Sequence, residues 1–147
     1  MKPIIRQGTT YSLDRDMGRA AALDYWLGGG HEAFVFVEAG EVLGTYFLRP
    51  NRPGGGAHVA NSGYMVLPGA SRRGVGRALC LHSLERARLL GFRAMQFNFV
   101  VSTNDRAVKL WRALGFDIAG ILPGAFEHPE LGEVDAYVMY RRLIERA

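Results

Sequence analysis

The sequence predicts an α+β fold in which helices flank one central mixed sheet, most of it antiparallel. Two extended segments, 33–38 and 42–48, are rich in β-branched and aromatic residues and are separated by a three-residue turn, as in a hairpin. Farther on, an amphipathic helix over 77–90 separates the predicted strands 58–67 and 94–101. A hairpin followed by a crossover helix is typical of an α+β domain with helices packed on its sheet.

The remaining elements follow from local signals. The first residues, Ile4-Ile5-Arg6, fit either a short strand or the inside of a first helix, and we favour the helix. Three consecutive glycines, 28–30, end the helix that precedes them. In chain order the other predicted elements are a helix over 16–27, a loop over 50–56, a strand over 118–122, a loop over 123–132 and a last strand over 134–141.

Composition is that of a single cytoplasmic domain spanning residues 1–147. The formal net charge is +4, and nearly all of the cations are arginines spread along helices among acids, so we expect no nucleic-acid partner. No apolar run approaches a membrane span, and the chain has a single cysteine, Cys80, which excludes an intrachain disulfide. Neither His31 nor His82 is spaced from Cys80 as metal ligands are, so no metal is expected.

A basic, glycine-bearing loop joins the strand ending before Pro68 to the helix that follows. The segment 71–78, Ser-Arg-Arg-Gly-Val-Gly-Arg-Ala, places three arginines and two glycines around a helix start. Unpaired backbone N–H groups at a helix start favour a phosphate, and glycines let it approach closely. The dinucleotide fingerprint is absent, because Leu79 stands where its third glycine belongs, and no Walker loop occurs. By itself the segment could also be a surface turn before a basic helix.

A second segment, 104–116, predicts a short helix with both ends marked. Asn104 is a favourable N-cap, and Gly115 supplies the left-handed residue that ends a helix. Between them lies one apolar face, formed by Ala107, Leu110, Trp111 and Leu114.

Together the two segments resemble the GCN5-related N-acetyltransferase (GNAT) family over roughly residues 34–142. Ser71-Arg72-Arg73-Gly74-Val75-Gly76 matches the family's Arg/Gln-x-x-Gly-x-Gly/Ala motif in register, with Ser71 in the Arg/Gln position. The later motif Asn-x-x-Ala-x-x-Leu-Tyr-x-x-x-Gly-Phe matches Asn104 to Phe116, with Trp111 in the tyrosine position. The segment before Phe34 is shorter than the strand and two helices usual in the family. Either the first strand is a stub followed by a shortened helix, or the chain begins inside the first helix, which we favour.

The resemblance implies transfer of an acetyl group from acetyl-CoA to an amine. The loop and helix start would bind the pyrophosphate, and the strand ending at Val66 would pair with the pantetheine arm. A backbone N–H near Met65 or Val66 would polarise the thioester carbonyl. The implied cofactor-binding residues are Met65, Val66, Ser71, Arg72, Arg73, Gly74, Val75, Gly76, Arg77, Ala78, Asn104, Ala107, Leu110 and Trp111.

The usual acid and base of the family are not evident. An indole N–H can donate a hydrogen bond but does not surrender its proton, so Trp111 is either a thiol-end contact or a packing residue. No carboxylate lies on strand 58–67, and His58 is a secondary base candidate. Tyr137 and Tyr140 could replace the missing tyrosine, although their apolar strand makes them core residues.

Two asparagines stand in otherwise apolar strands, where an amide must find partners. We predict that Asn61 and Asn98 face the cleft and, with Tyr64, bind the acceptor; the alternative is that both amides cap neighbouring backbone. Asparagines at these points also resemble the yeast acetyltransferases of azetidine-2-carboxylate and related cyclic imino acids. The predicted catalytic set is Asn61, Asn98 and Val66, with a small amino or cyclic imino acid as the acceptor.

Two other functions stay open from the sequence. One is acetylation of a protein N-terminus or lysine, and the other is a non-catalytic acyl-CoA-binding module, which Trp111 and Ser71 would suit. The donor could be acetyl-CoA or a longer acyl-CoA. Family analogy and an exposed last strand also allow a homodimer.

Overall fold

The structure, a computed structural model, describes residues 1–145. Six strands form one sheet in the order β1-β2-β3-β4-β6-β5. Only the β3–β4 pair is parallel, which confirms the predicted mixed, mostly antiparallel sheet. The strands are β1 (Glu32–Glu38), β2 (Glu41–Pro50), β3 (Val59–Val66), β4 (Ala94–Val101), β5 (Asp117–His128) and β6 (Gly132–Arg142).

Four α-helices and two short 3₁₀ turns accompany the sheet in the described residues. No helix within residues 1–145 combines the length and apolar character that a membrane crossing requires. Ile4, Ile5 and Arg6 lie in the first helix, as favoured from the sequence. The elements are α1 (Lys2–Gln7), α2 (Arg19–Leu27), α3 (Val75–Leu89), α4 (Asp105–Ala113), and 3₁₀ turns at Gly54–Gly56 and Pro68–Ala70.

Helices cover both faces of the sheet. Tyr46 belongs to the main apolar cluster, which lies under α3 and α4 and includes Leu84 and Trp111. Phe47, the next residue of β2, belongs to a second cluster with Trp26 of α2 and Ile5 of α1. Because successive side chains of a strand point to opposite faces, the two helix pairs lie on opposite sides of the sheet.

The β5–β6 hairpin differs from the sequence prediction. Residues 123–132 were expected to be a loop, but β5 continues to His128 and pairs with β6 as far as Gly132. An irregularity between Leu122 and Phe126 accommodates Pro123 and Gly124. A proline is tolerated there because β5 is an edge strand and needs no ladder N–H on its outer side. The last strand, β6, is therefore internal, and the exposed edge expected of it belongs to β5.

The sheet splits between its two central strands. Parallel pairing of β3 with β4 stops after Val59–Ala94, Ala60–Met95 and Asn61–Gln96. Beyond that point β3 stays paired with β2 as far as Val66, whereas β4 follows β6 through an irregularity between Phe97 and Val100. The two strands therefore diverge, and their unpaired edges face a gap.

Candidate active site

A cleft of about 340 Å³ lies where the sheet splits. Its walls come from the diverging ends of β3 and β4, from Trp111 of α4 and from the segment between α1 and α2. Trp111 is 8% exposed and lies 4.9 Å from Tyr64 between ring centroids. The side chains that line the cleft include Tyr11, Tyr25, Phe47, Arg49, Asn61, Tyr64, Phe97, Asn98 and Trp111.

A second cavity, of about 540 Å³, is a groove between the end of β3 and the starts of α3 and α4. Five residues line both cavities, so the groove opens into the cleft beside Trp111. They are Thr10, Tyr64, Asn104, Ala107 and Trp111. The structure therefore brings the two sequence motifs together around one continuous channel.

The start of α3 forms the far end of the groove and suits an anion. Gly74 is its N-cap in the left-handed conformation, with φ of 75°, and no side chain caps the helix. The first intrahelical hydrogen bond comes from Ala78 to Gly74, so the N–H groups of Val75, Gly76 and Arg77 precede it. A Cβ on Gly76 would lie 3.4 Å from Leu110, so a larger side chain there would enter the groove. These features favour a phosphate at this point.

The arginines of the loop are not equivalent. Arg72 and Arg77 line the groove, and Arg106 of α4, which the sequence analysis did not single out, joins them. Arg73 instead forms an ion pair with Glu38 on the outer surface. Three of the eight residues predicted in 71–78 therefore lie outside the groove lining: Arg73, Val75, which is buried in the core, and Ala78, whose N–H is used within the helix.

The direction of the β3 backbone distinguishes Val66 from Met65. The N–H of Leu67 donates to Leu43, and the carbonyl of Val59 accepts from Asn51, so odd-numbered residues of β3 turn toward β2. Since backbone groups alternate along a strand, the N–H of Val66 faces the gap and that of Met65 does not. Of the two sequence candidates for the donor to the thioester carbonyl, only Val66 is oriented for it.

Tyr64 presents its ring and backbone to the cleft, not its hydroxyl. The hydroxyl lies 2.6 Å from the Ser83 Oγ of α3, on the face of the sheet that α3 and α4 cover. Burial raises the Tyr64 pKa well above its usual range. Its carbonyl accepts a hydrogen bond of 2.6 Å from the Tyr11 hydroxyl. The predicted acceptor contact of Tyr64 thus has no free hydroxyl to act through, and Tyr11 brings the N-terminal segment against the unpaired edge of β3.

Asn61 and Asn98 both line the cleft, and both amides have protein partners. Asn61 donates to the Gln96 carbonyl at 3.0 Å, across the point where β3 and β4 separate. Asn98 donates to Asn51 at 2.7 Å and accepts from the Gln96 side chain at 2.9 Å. Both amides face the cleft, as predicted, and only Asn61 also caps neighbouring backbone, because the partners of Asn98 are side chains.

Two cleft residues come from segments without a motif. Tyr11 lies in the irregular segment before α2, and Arg49 lies on β2 opposite Asn61. A charged residue directly after the apolar run Tyr46-Phe47-Leu48 is a signal that could have identified Arg49. Within residues 1–145, no three His, Cys, Asp or Glu side chains are grouped as metal ligands.

The split sheet and its two connected cavities are suited to a protein that brings two ligands together, one of them bearing phosphate. The model of the acetyltransferase (GNAT) family matches residues 4–116. The chain therefore belongs to the acetyltransferase (GNAT) family, which confirms the resemblance drawn from its two motifs. The narrower resemblance to the azetidine-2-carboxylate enzymes stays a prediction.

Relatives and solved structures agree with this family. The chain is 33% identical to N-acetyltransferase aca1 of Schizosaccharomyces pombe, over 91% of this chain and 72% of that protein. It is 46% identical to a GCN5-related N-acetyltransferase from Kribbella flavida, with a TM-score of 0.92 over 96% of this chain and 86% of that one. The yncA structure from Salmonella typhimurium, with its cofactor acetyl-CoA, shares the fold at 22% identity, with a TM-score of 0.85 over 99% and 86% of the two chains.

Proposed function

We propose that the protein is an acetyl-CoA-dependent N-acetyltransferase acting on a small amine, namely an amino acid or cyclic imino acid. The observation that carries the proposal is the channel in which the α3 start, the Val66 N–H and the polar cleft follow one another. The acetyl-CoA bound to yncA supports the choice of donor, and family membership supports the reaction.

On the donor side, each part of the groove has one task. The N–H groups at the start of α3, with Arg72 and Arg77, bind the pyrophosphate. The unpaired edge of β3 binds the pantetheine arm, and Asn104 is the N-cap of α4, accepting from the Ala107 N–H at 3.4 Å. The Val66 N–H polarises the thioester carbonyl and stabilises the negative charge that forms on its oxygen during attack.

The transfer itself needs little from an acid or a base. The uncharged amine attacks the thioester carbon, the carbon–sulfur bond breaks, and the amine proton passes to water. A thiol with a pKa of about 8.5 leaves readily as thiolate, so Trp111 does not have to supply a proton. Positioning and carbonyl polarisation therefore account for the mechanism.

The shape of the cleft favours a small acceptor. Its volume of about 340 Å³ lies at the low end of the range for small-molecule sites, and Tyr11 closes the side toward the N-terminal segment. No carboxylate is among the described residues that line it, so it offers nothing acidic to a lysine side chain. Acetylation of a protein is the alternative that the experiment below distinguishes.

Calorimetric titration with acetyl-CoA tests the donor site. The parent is expected to bind, and Gly76→Glu to lose binding, because the new carboxylate occupies the groove and repels the pyrophosphate. Gly55→Glu is the matched control, since Gly55 is exposed and has open space around it. A folded parent that does not bind acetyl-CoA would overturn the proposal.

Release of free CoA thiol then tests catalysis. Small amino and imino acids are compared with peptides that carry a free N-terminus or a lysine. Turnover of the small amines supports the proposal, and turnover of peptides alone would replace it with protein acetylation. Binding without turnover of any amine would identify a non-catalytic acyl-CoA-binding module. The same assay with longer acyl-CoA donors determines the acyl preference.

The cytoplasmic location and the homodimer inferred from the sequence remain proposals. The edge strand β5 carries Ile121, which is 56% exposed, and the following turn carries Leu131, which is 63% exposed. Exposed apolar side chains on a sheet edge favour association. Sedimentation velocity of the purified protein distinguishes monomer from dimer.

A further inference from the structure

Arg49 is the only charged residue among the described residues that line the cleft. It lies on β2 directly opposite Asn61, on the face of the sheet that carries Phe47. Its side chain is half-buried beside the acceptor cavity, and it is well removed in sequence from the basic loop that faces the donor. Arg49 therefore places a positive charge at the acceptor end of the channel.

Among the described residues, Arg49 has no acidic partner. Its Nε–H donates to the Asn61 Oδ1 at 3.3 Å, and one Nη1–H donates to the His31 Nε2 at 3.0 Å. The Asn61 amide carries no charge, and a His31 ring that accepts from Arg49 at Nε2 is neutral. Burial and the charge of Arg49 lower the His31 pKa in the same direction. Within residues 1–145, ion pairs are formed by Arg73 and Arg86 and not by Arg49. A half-buried cation with neutral partners favours an anion from outside the chain.

The guanidinium is also held in one orientation. Its carbon lies 4.9 Å from the Phe47 ring centroid and 5.9 Å from that of Tyr25. His31 stacks on Phe47 at 5.3 Å, so the ring under the guanidinium is itself fixed. With Nε and one Nη1 hydrogen used, the end of the guanidinium formed by Nη1 and Nη2 keeps three N–H groups. Two of them can meet the two oxygens of a carboxylate together.

The cleft amides, in contrast, are neutral and already have protein partners. Asn61 uses its oxygen for Arg49 and its nitrogen for the Gln96 carbonyl. Asn98 is bound by Asn51 and the Gln96 side chain. Each amide nitrogen has two N–H groups and uses one of them. Asn61 is a positioning residue for Arg49 through its oxygen, and the charged contact with an anionic acceptor falls to the guanidinium.

We propose that Arg49 binds the carboxylate of the amino acid or imino acid acceptor. The inference rests on the proposed function for the amine-acetylating reaction and deepens it by naming the group that the cleft recognises. A single guanidinium matches the single charge of a carboxylate. A phosphate monoester, with nearly two charges, would leave charge unbalanced in a cleft that offers no second cation in the described residues.

Matched ligand pairs test the proposal. Azetidine-2-carboxylate, proline, alanine and glycine are titrated calorimetrically into the protein, with and without CoA, beside their carboxamides. The carboxylates are expected to bind about 10- to 100-fold more tightly than the amides, as for hydrogen bonds to a charged group. Failure of every carboxylate to bind, or equal binding of carboxylate and amide, overturns the assignment. Phosphoethanolamine is included, and its preference over the carboxylates would also overturn it.

Variants of Arg49 connect the preference to this side chain. Arg49→Met keeps an apolar stem over Phe47 and is expected to abolish the preference for carboxylate over amide. Arg49→Lys keeps the charge but loses the planar fork, so it restores only part of the preference. Arg52→Met, on the exposed loop after β2, is the matched control and keeps the parent preference. An Arg49→Met protein that folds and still prefers the carboxylates would contradict the proposal.

The same experiments separate this inference from the proposed function. If acetyl-CoA binds and amines are acetylated regardless of a carboxylate, Arg49 is not the anchor. The N-acetyltransferase activity in the proposed function then stands, and its amino acid or imino acid acceptor does not. If carboxylates bind through Arg49 but no amine is acetylated, the anchor is real and the transferase activity is absent.

Discussion

Trp111 stands where the family motif has a tyrosine, and we expect its side chain to pack in the core rather than to donate a proton. Its indole contacts the rings of Tyr64 and Phe97, with centroids 4.9 and 5.1 Å away. We expect Trp111→Phe to keep kcat within about tenfold of the parent, since a general acid contributes at least about 100-fold and none is lost here. Trp111→Ala should lower the free energy of unfolding by about 3–5 kcal/mol. Thiol-release kinetics and urea denaturation measure these two effects.

The Phe variant decides which role the indole has. If Trp111→Phe folds normally but loses turnover by more than about 100-fold, the indole N–H is a required donor. The side chain would then contact the reacting thiol as well as the core.

His31, which contacts Arg49, should make the free energy of unfolding depend on pH. Burial and the neighbouring Arg49 lower its pKa in the folded protein, so the unfolded chain takes up a proton at a higher pH than the folded one. The stability that neutral His31 contributes is therefore present above pH 6.5 or so and is lost as pH falls toward the folded pKa. Urea denaturation at pH 7.5 and 5.5 should show a smaller loss of stability in His31→Gln than in the parent.

A second histidine provides the control for this measurement. His128 lies on the edge strand β5, four strands away from the strand β2 that carries Arg49, so His128→Gln is that control. Equal losses in the parent and in His31→Gln would mean that His31 is not the group responsible.

At the residue scale, motifs predicted the donor side better than the acceptor side. Gly74 and Gly76 at the start of α3 and Asn104 at the N-cap of α4 serve local backbone roles that the spacing of the motifs predicts. The structure places them along one groove. Arg49 and Tyr11 have no such task and reach the cleft only through strand register and a tertiary hydrogen bond. Their positions depend on which segments contact each other in the folded protein, and such long-range contacts cannot be read from a single sequence.

Among the elements, β3 lines both the cleft and the groove. Its Gly63 determines how closely Phe47 and Tyr11 approach the strand. A Cβ at Gly63 would lie 2.6 Å from the Phe47 ring and 3.1 Å from the Tyr11 hydroxyl. We expect Gly63→Ala to lower the free energy of unfolding by about 1–3 kcal/mol through overpacking. Gly120→Ala on β5, where the added methyl meets open space, serves as the reference. Similar urea midpoints for the two variants would show that Phe47 and Tyr11 yield easily.

The elements themselves were predicted unevenly, for physical reasons. The strand over 94–101 has the bounds expected from its apolar run, and the helix beginning after Asn104 has the expected cap. The hairpin beyond Leu122 was missed because Pro and Gly indicate a loop when read locally. In the structure they lie on an edge strand whose irregularity is stabilised by long-range pairing with β6.

At the scale of the whole molecule, the two covered faces of the sheet carry different parts of the proposed site. The face under α3 and α4 holds the main core and the helix start proposed to bind the pyrophosphate. The face under α1 and α2 holds Arg49 and the wall proposed to contact the acceptor. The channel crosses the sheet where β3 and β4 separate, so two ligands approaching from opposite sides can meet at the split. The channel therefore forms only when the whole sheet and its helices are folded, so a measurement of global unfolding also follows the loss of the site.

Cys80 is a built-in probe of that unit, because it is the only cysteine of the chain and lies fully buried on α3. Burial raises the pKa of its thiol to about 11, so both access and thiolate formation are suppressed in the folded state. Labelling by a disulfide reagent at pH 8 should be on the order of 1,000-fold or more slower in native buffer than in urea, following the stability of a small domain. Its rate should rise with urea along the global unfolding curve measured by fluorescence. Rapid labelling without urea would instead show that α3 opens locally from the sheet, and the helix start proposed to hold the pyrophosphate would then be mobile before any ligand arrives.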